Sequence, residues 1–380
     1  MTHRLLSRAL ISIGVAAGLA TAVLPAAQAA SAPGWRIVKV IGVKAGLSEM
    51  TNLAASGAAN AWAGGNTCPA SCGVQSPAVK HWNGKSWKAF ALSVPDTAGS
   101  PSNPVVASSS ATNTWIFVVN NAGVQYAEHW NGSHATVTSF PSGPTITAAA
   151  VLGQKNAWAF GSEGLGSGGP ITPYAAHYNG TAWTPVSLPV IPAGASAVSA
   201  SAIWVYGQLP GTDPAVYAVS RWNGQKWVTR KLPNLQLGTG YFLVPGNIVA
   251  LRTHDVWVDG TLGKGMGVGD GVVLLNWNGS KWTRVKTRYP TSQFDSDLTQ
   301  DGHGGIWVSG YSSAAQGYAG PYLYHYSGGH WTRQLVPTAK GDKPQMGGLT
   351  WIPGTRSVWG AGMLLPGDGT SQGVLLKYGT

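Results

Sequence analysis

Short runs of Val, Ile, Ala, Trp and Tyr alternate along this chain with clusters of Gly, Asn, Ser and Pro. Runs of that length, bounded by turn formers, predict strands rather than helices. The runs are also not independent of one another. A small, apolar run such as "TNLAAS", "PVVASS", "TITAAAV" or "GNIVAL" is followed by a run headed by Trp: "NAWAGG", "NTWIFV", "NAWAFG", "AIWVYG", "DVWVDG", "GIWVSG" and "SVWGAG". A third run ends in text such as "HWNGKSW", which returns as "HWNGSHA", "HYNGTAW", "RWNGQKW", "NWNGSKW" and "HYSGGHW" and leads into a fourth. Asn-Gly at that junction predicts a tight hairpin, because Gly takes positive φ at little steric cost.

The Trp residues that head the second run are Trp62, Trp115, Trp158, Trp204, Trp257, Trp307 and Trp359, spaced by 53, 43, 46, 53, 50 and 52 residues. A period near 50 residues with four strands per unit predicts an all-β, seven-bladed β-propeller. The first run suits the crowded wall of a central channel, and the fourth forms the outer edge. The seventh unit stops at "LLKYGT" without a fourth strand, whereas "GWRIVKV" at Gly34–Val40 matches a fourth strand and precedes the first unit. The N-terminal strand is therefore expected to close the last blade, removing open sheet edges.

Composition and termini add location. Arg4 and Arg8 precede an apolar run ending at Leu24, and Ala27-Gln28-Ala29 is a small-residue cleavage pattern, so residues 1–29 read as a secretory signal and residues 30–380 as one propeller domain. No further apolar run is long enough to span a bilayer, so a secreted, extracellular protein is expected, as a monomer. The formal charge is +11. Lys88, Arg230, Lys231, Arg284, Lys286 and Arg333 fall on or just after predicted outer strands, where charge discourages edge-to-edge pairing. That placement accounts for much of the basicity without a nucleic acid partner. Cys68 and Cys72, the only cysteines, are expected to pair as a small disulfide in an oxidising compartment.

These motifs resemble those of secreted bacterial propellers grouped with the kelch and galactose-oxidase-like superfamily. The resemblance spans the whole chain after the signal and implies the fold more than any activity, since propellers host lectins, lyases, hydrolases, oxidases and scaffolds. A copper radical site of the galactose oxidase kind needs a Cys–Tyr cross-link, which two cysteines in one loop do not suggest. The Asp boxes and arginine triad of sialidases are missing from the sequence. "GTSQG" around Ser371 has the spacing of a nucleophile elbow but lies between strands with no helix to follow.

Residues recurring in every unit are expected to be structural. His81, His129, His177 and His325 share one repeat position, and Asn60, Asn113, Asn156 and Asp255 read as turn formers. The exception is "QFDSD" at Gln293–Asp297, two carboxylates in an inner strand that elsewhere is small and apolar. Alignment on the second-strand Trp puts Asn52, Asn247 and Asp297 at one position facing the channel mouth, with Asp295 on the same side. Tyr289 and Tyr311 in nearby loops supply rings for stacking on sugars. Asn52, Asn247, Asp295, Asp297, Tyr289 and Tyr311 are thus the expected ligand-binding set. Asp295 and Asp297 are its candidates for calcium, or for acid and base catalysis. The leading expectation is a non-catalytic protein that binds an extracellular glycan or protein partner. The alternatives are a polysaccharide lyase or glycoside hydrolase, and an extracellular scaffold.

Overall fold

The computed structural model describes residues 34–379 apart from 44–45, 70–73, 101–102, 141–142, 165–168, 234, 236–238, 266, 290–292, 312–320 and 339–341. The expected signal, residues 1–29, and Cys72 lie outside the described residues. Seven four-stranded antiparallel sheets form the blades, and in blades one to six the strands follow chain order from channel to edge. Each inner strand packs beside the next, and that of blade seven beside that of blade one, so the ring closes. In blade seven the outer strand is Trp35–Ile41, paired with Gln372–Tyr378 from Trp35 opposite Tyr378 to Ile41 opposite Gly373. The expected closure by the N-terminal strand is therefore present. Ser48 and Ser371 fasten it from above: the Ser48 N–H donates to Ser371 Oγ at 3.0 Å, and Gly373 N–H donates to Ser48 Oγ at 2.8 Å. Ser371, the serine of "GTSQG", is buried in this clasp and has a structural role.

The repeated turn is longer than expected. Trp82 pairs with Trp87, so Asn83 to Ser86 form a four-residue loop, and only the glycine of Asn-Gly is at positive φ, Gly84 at 89°. The asparagine acts through its side chain instead: Asn83 Oδ1 accepts from the N–H groups of Lys85 at 3.1 Å and Ser86 at 3.0 Å. Asn131, Asn179, Asn223 and Asn278 make the same pair of bonds in their own blades.

The recurring histidines lie flat on the second-strand tryptophans, with ring centroids 4.1 Å apart for Trp62 and His81, 4.4 Å for Trp115 and His129, and 4.4 Å for Trp307 and His325. Asn60, Asn113 and Asn156 are more than turn formers. Asn60 Oδ1 contacts His81 Nε2 at 2.9 Å and accepts from Trp62 Nε1 at 3.2 Å, fixing both rings. Blade six has Gly305 where blades one, two, three and five have Asn or Asp, and Asp301 takes over with a 2.8 Å contact to His325 Nε2. Burial alone would raise the Asp301 pKa. The bonds from His325 and from the N–H groups of His303 and Gly305 instead hold its carboxyl down at about 2.

Blades mesh through tryptophan edges. The first residue of an outer strand drives edge-on into the second-strand Trp of the preceding blade: Trp87 against Trp359 at 5.1 Å, Trp183 against Trp115 at 5.0 Å, and Trp35 against Trp307 at 5.4 Å. Blade two is the exception, with Ala135 at that position. Phe90 of blade one fills the space, its ring 4.9 Å from Trp62 and 5.5 Å from Trp130. Nearer the axis, side chains bond across to the backbone of the next blade's inner strand. Asn52 Oδ1 accepts from Val106 N–H at 2.7 Å, Ser196 Oγ from Ala250 N–H at 3.0 Å, and Thr299 Oγ1 from Trp351 N–H at 3.0 Å.

Candidate functional site at the channel

The inner strands converge on a polar cavity of about 350 Å³ whose wall includes residues of all seven blades. Their shape there comes from a bulge. In blade one, Met50 faces Gly65 while Asn52 faces Gly64, leaving Thr51 as an extra residue; the same irregularity leaves Thr147, Ala193 and Gly347 extra in blades three, four and seven. The bulge explains the glycine that ends the second-strand motif. A Cβ on Gly65, Gly161, Gly207 or Gly362 would overlap an inner-strand carbonyl oxygen, that of Glu49, Thr145, Ile191 or Gln345.

Blades five and six carry wider bulges. Gly246 and Asn247 together face Asp259, and residues 295 to 297 together face Ser309. The last three residues of "QFDSD" are therefore a bulge in the channel wall. This accounts for polar residues inside an otherwise small, apolar strand.

Three of the expected ligand-binding residues meet here: Asn52, Asn247 and Asp297 all line the cavity. Asp297 is 6% exposed and is the sole ionisable group among the described lining residues. The Asn52 oxygen is committed to Val106, so a bound molecule meets its NH2 end. Asn247 Oδ1 accepts from Ile248 N–H at 2.8 Å. Asp295 belongs to the same bulge, and Tyr311 ends the second strand of blade six opposite Gln293; their side chains lie outside what is described. The structure places Tyr289 elsewhere. It packs on the outer half of blade six, its hydroxyl donating to the Trp331 carbonyl at 3.4 Å and its ring 4.6 Å from the Arg333 guanidinium. The linker from blade five runs along the flank of blade six, which holds Tyr289 away from the cavity. Cys68 is buried at the end of blade one's second strand, without a disulfide partner among the described residues.

One residue behind the wall is not in the expected set. Asp259 stands in a second strand where other blades carry Gly, Phe, Tyr, Ser or Ala, and it is fully buried. Its Oδ1 accepts from Asn247 N–H at 2.5 Å, holding the bulge that presents Asn247, while Oδ2 has no hydrogen-bond partner among the described residues. Burial pushes its carboxyl up to about 7, against the pull of the Asn247 bond. The signal was the acid in "DVWVDG", two residues after a Trp in a strand that is otherwise apolar.

No family model matches the chain, and no curated protein does. Among solved structures, YCF48 bound to D1 peptide is similar at 12% identity and a TM-score of 0.53, over 92% of this chain and 95% of that one. The β-propeller domain of the Trilobed protease from Pyrococcus furiosus is similar at 9% identity and a TM-score of 0.52, over 85% of this chain and 96% of that one. The β-propeller domain of Myceliophteria thermophila Cps50 (Swd1) is similar at 9% identity and a TM-score of 0.52, over 90% of this chain and 99% of that one. At such identities the likeness is one of fold, and by fold this chain is a seven-bladed β-propeller.

Proposed function

We propose that this chain is a secreted, non-catalytic binding protein whose channel mouth takes an extracellular glycan or protein partner. The observation that carries the reading is the convergence of all seven inner strands on one polar cavity, with Asn52, Asn247 and Asp297 in its wall. Its volume is at the lower end of the roughly 300–1,000 Å³ range of ligand sites. Its polar wall suits a hydroxyl-bearing or amide-bearing end rather than an apolar one. A propeller of similar fold, YCF48, is described as bound to a peptide, which supports a binding role for such a ring. The signal-like residues 1–29, the Cys68–Cys72 spacing and the kelch-like repeat text support an extracellular setting. Among the described residues no three His, Cys, Asp or Glu side chains converge. Calcium would draw on the carboxylates of "QFDSD", Asp295 and Asp297.

The test is saturable binding of the purified chain to glycan and peptide arrays, repeated with Asp297→Asn and Asn247→Ala. Binding that weakens about tenfold or more in both variants, with unchanged melting, is the expected result. A product released from a polysaccharide by the wild type and not by Asp297→Asn would replace the binding reading with catalysis.

A further inference from the structure

A larger cavity, of about 570 Å³, lies far from the channel between blades two and three. Its origin can be traced to one row of side chains. In each blade, residues of the second, third and outer strands stand side by side on the face turned toward the next blade. In blade one such a row is Gly64, Val79 and Phe90, and in blade two it is Phe117, Ala127 and Thr138. The outer member is Phe90 in blade one, Thr138 in blade two, Val186 in blade three, Arg230 in blade four and Val285 in blade five. Phe90 covers the outer part of the seam between blades one and two; in the next seam Phe140 fills the space against Phe117 and Trp183, but Thr138 and its neighbour in the adjoining row, Thr136, are too short to cover the part outside it.

The uncovered seam exposes a wall of rings. Tyr174, Tyr178 and Trp183 of blade three line it, Trp183 with its centroid 5.4 Å from that of Tyr178. Thr136 and Thr138 add hydroxyls opposite, and Glu163 adds a carboxylate at one end. Burial and the nearby Glu163 push the Tyr174 hydroxyl up to about 12, so it remains a donor throughout the physiological range. Glu163 is the only charged residue among the described residues of this lining, and it is negative.

We propose that this groove is a second binding site, for a neutral saccharide. Aromatic faces match the C–H faces of a sugar ring, while threonine, tyrosine and carboxylate oxygens match its hydroxyls. A lone carboxylate opposes uronic acid and sulfated polymers. The proposal uses no channel residue and stands or falls apart from the channel reading.

The test is calorimetric titration of the purified chain with cellohexaose, xylohexaose and mannohexaose, with trigalacturonate as the anionic control. At least one neutral hexasaccharide should bind at millimolar concentration or tighter, and trigalacturonate should not. Thr138→Phe, which installs the residue found at the same place in blade one, should weaken that binding about tenfold with little change in melting. Glu163→Gln, which leaves the packing alone, should weaken it severalfold. The site is overturned if no neutral hexasaccharide binds, if trigalacturonate binds better, or if both groove variants bind as the wild type does. It is equally overturned if the loss follows Asp297→Asn and spares the groove variants, a result that would support the channel alone.

Discussion

Blades one and two are written in the same repeat yet solve its packing differently. Blade one has Trp87 at the head of its outer strand, Gly65 at the end of its second-strand motif and a bulge in its inner strand. Blade two has Ala135 and Val118 at the corresponding positions, and its inner strand, Val105–Ser110, pairs without that bulge. The substitutions go together. Without the bulge no inner-strand carbonyl crowds the second strand, so Val118 is tolerated, and without a tryptophan at 135 the neighbouring Phe90 occupies the space. A repeat is therefore kept at the level of filled volume rather than residue identity, and the place where filling fails, beside Thr138, is an open groove.

The difference can be broken most severely by forcing the residue of blade two onto blade one. In Gly65→Val the new side chain meets the Glu49 carbonyl and the Met50 backbone, and a loss of at least about 3 kcal/mol is expected from denaturant unfolding. The reverse change, Val118→Gly, should cost roughly 2–4 kcal/mol, from lost burial and added chain entropy. A loss below about 3 kcal/mol for Gly65→Val would show that the bulge does not decide the residue.

The tryptophan exchange is sharper in combination. Phe90→Ala should cost about 2–3 kcal/mol, less than a fully buried phenylalanine because Phe90 is half-buried. Ala135→Trp alone should cost about 1–3 kcal/mol by overpacking the occupied space. The double variant should recover part of both losses, and strictly additive losses would separate the two positions.

The smallest effect concerns charge. Lys80 of blade one and Glu128 of blade two occupy the same third-strand position, but Glu128 is fully buried, its Oε2 accepting from Ser93 N–H at 2.9 Å. Burial raises the Glu128 pKa above 4.5, more than the Ser93 bonds lower it. A carboxyl with a raised folded pKa binds more protons when folded, so stability falls as pH rises from its unfolded value through its folded one. Glu128→Gln should flatten melting temperature across that window, and an unchanged slope would remove Glu128 as its source.

What could be read from the sequence follows from what repeats. The Trp-headed motif and the Asn-Gly text specify blade number, and the match of "GWRIVKV" to an outer strand specifies closure, because each rests on many copies of one pattern. Asn52, Asn247 and Asp297 were legible for the same reason, since alignment on the Trp places them together. The bulges were hidden because a run of small residues carries no register, although the glycine three residues after the Trp in every blade but the second was their trace. Asp259 was hidden because its acid is a departure inside an otherwise ordinary motif. The path of the loop carrying Tyr289 had no repeat to set it.

The pairing of Trp35 with Tyr378 has a consequence for how the molecule comes into being. Trp35–Ile41 finds its partner only once the chain has reached Tyr378, a sequence separation that places ring closure among the slowest kinds of contact to form. Until then Trp35–Ile41 is an unpaired strand open to any neighbouring chain. A growing chain of this kind has to be kept apart from its copies until its last strand arrives.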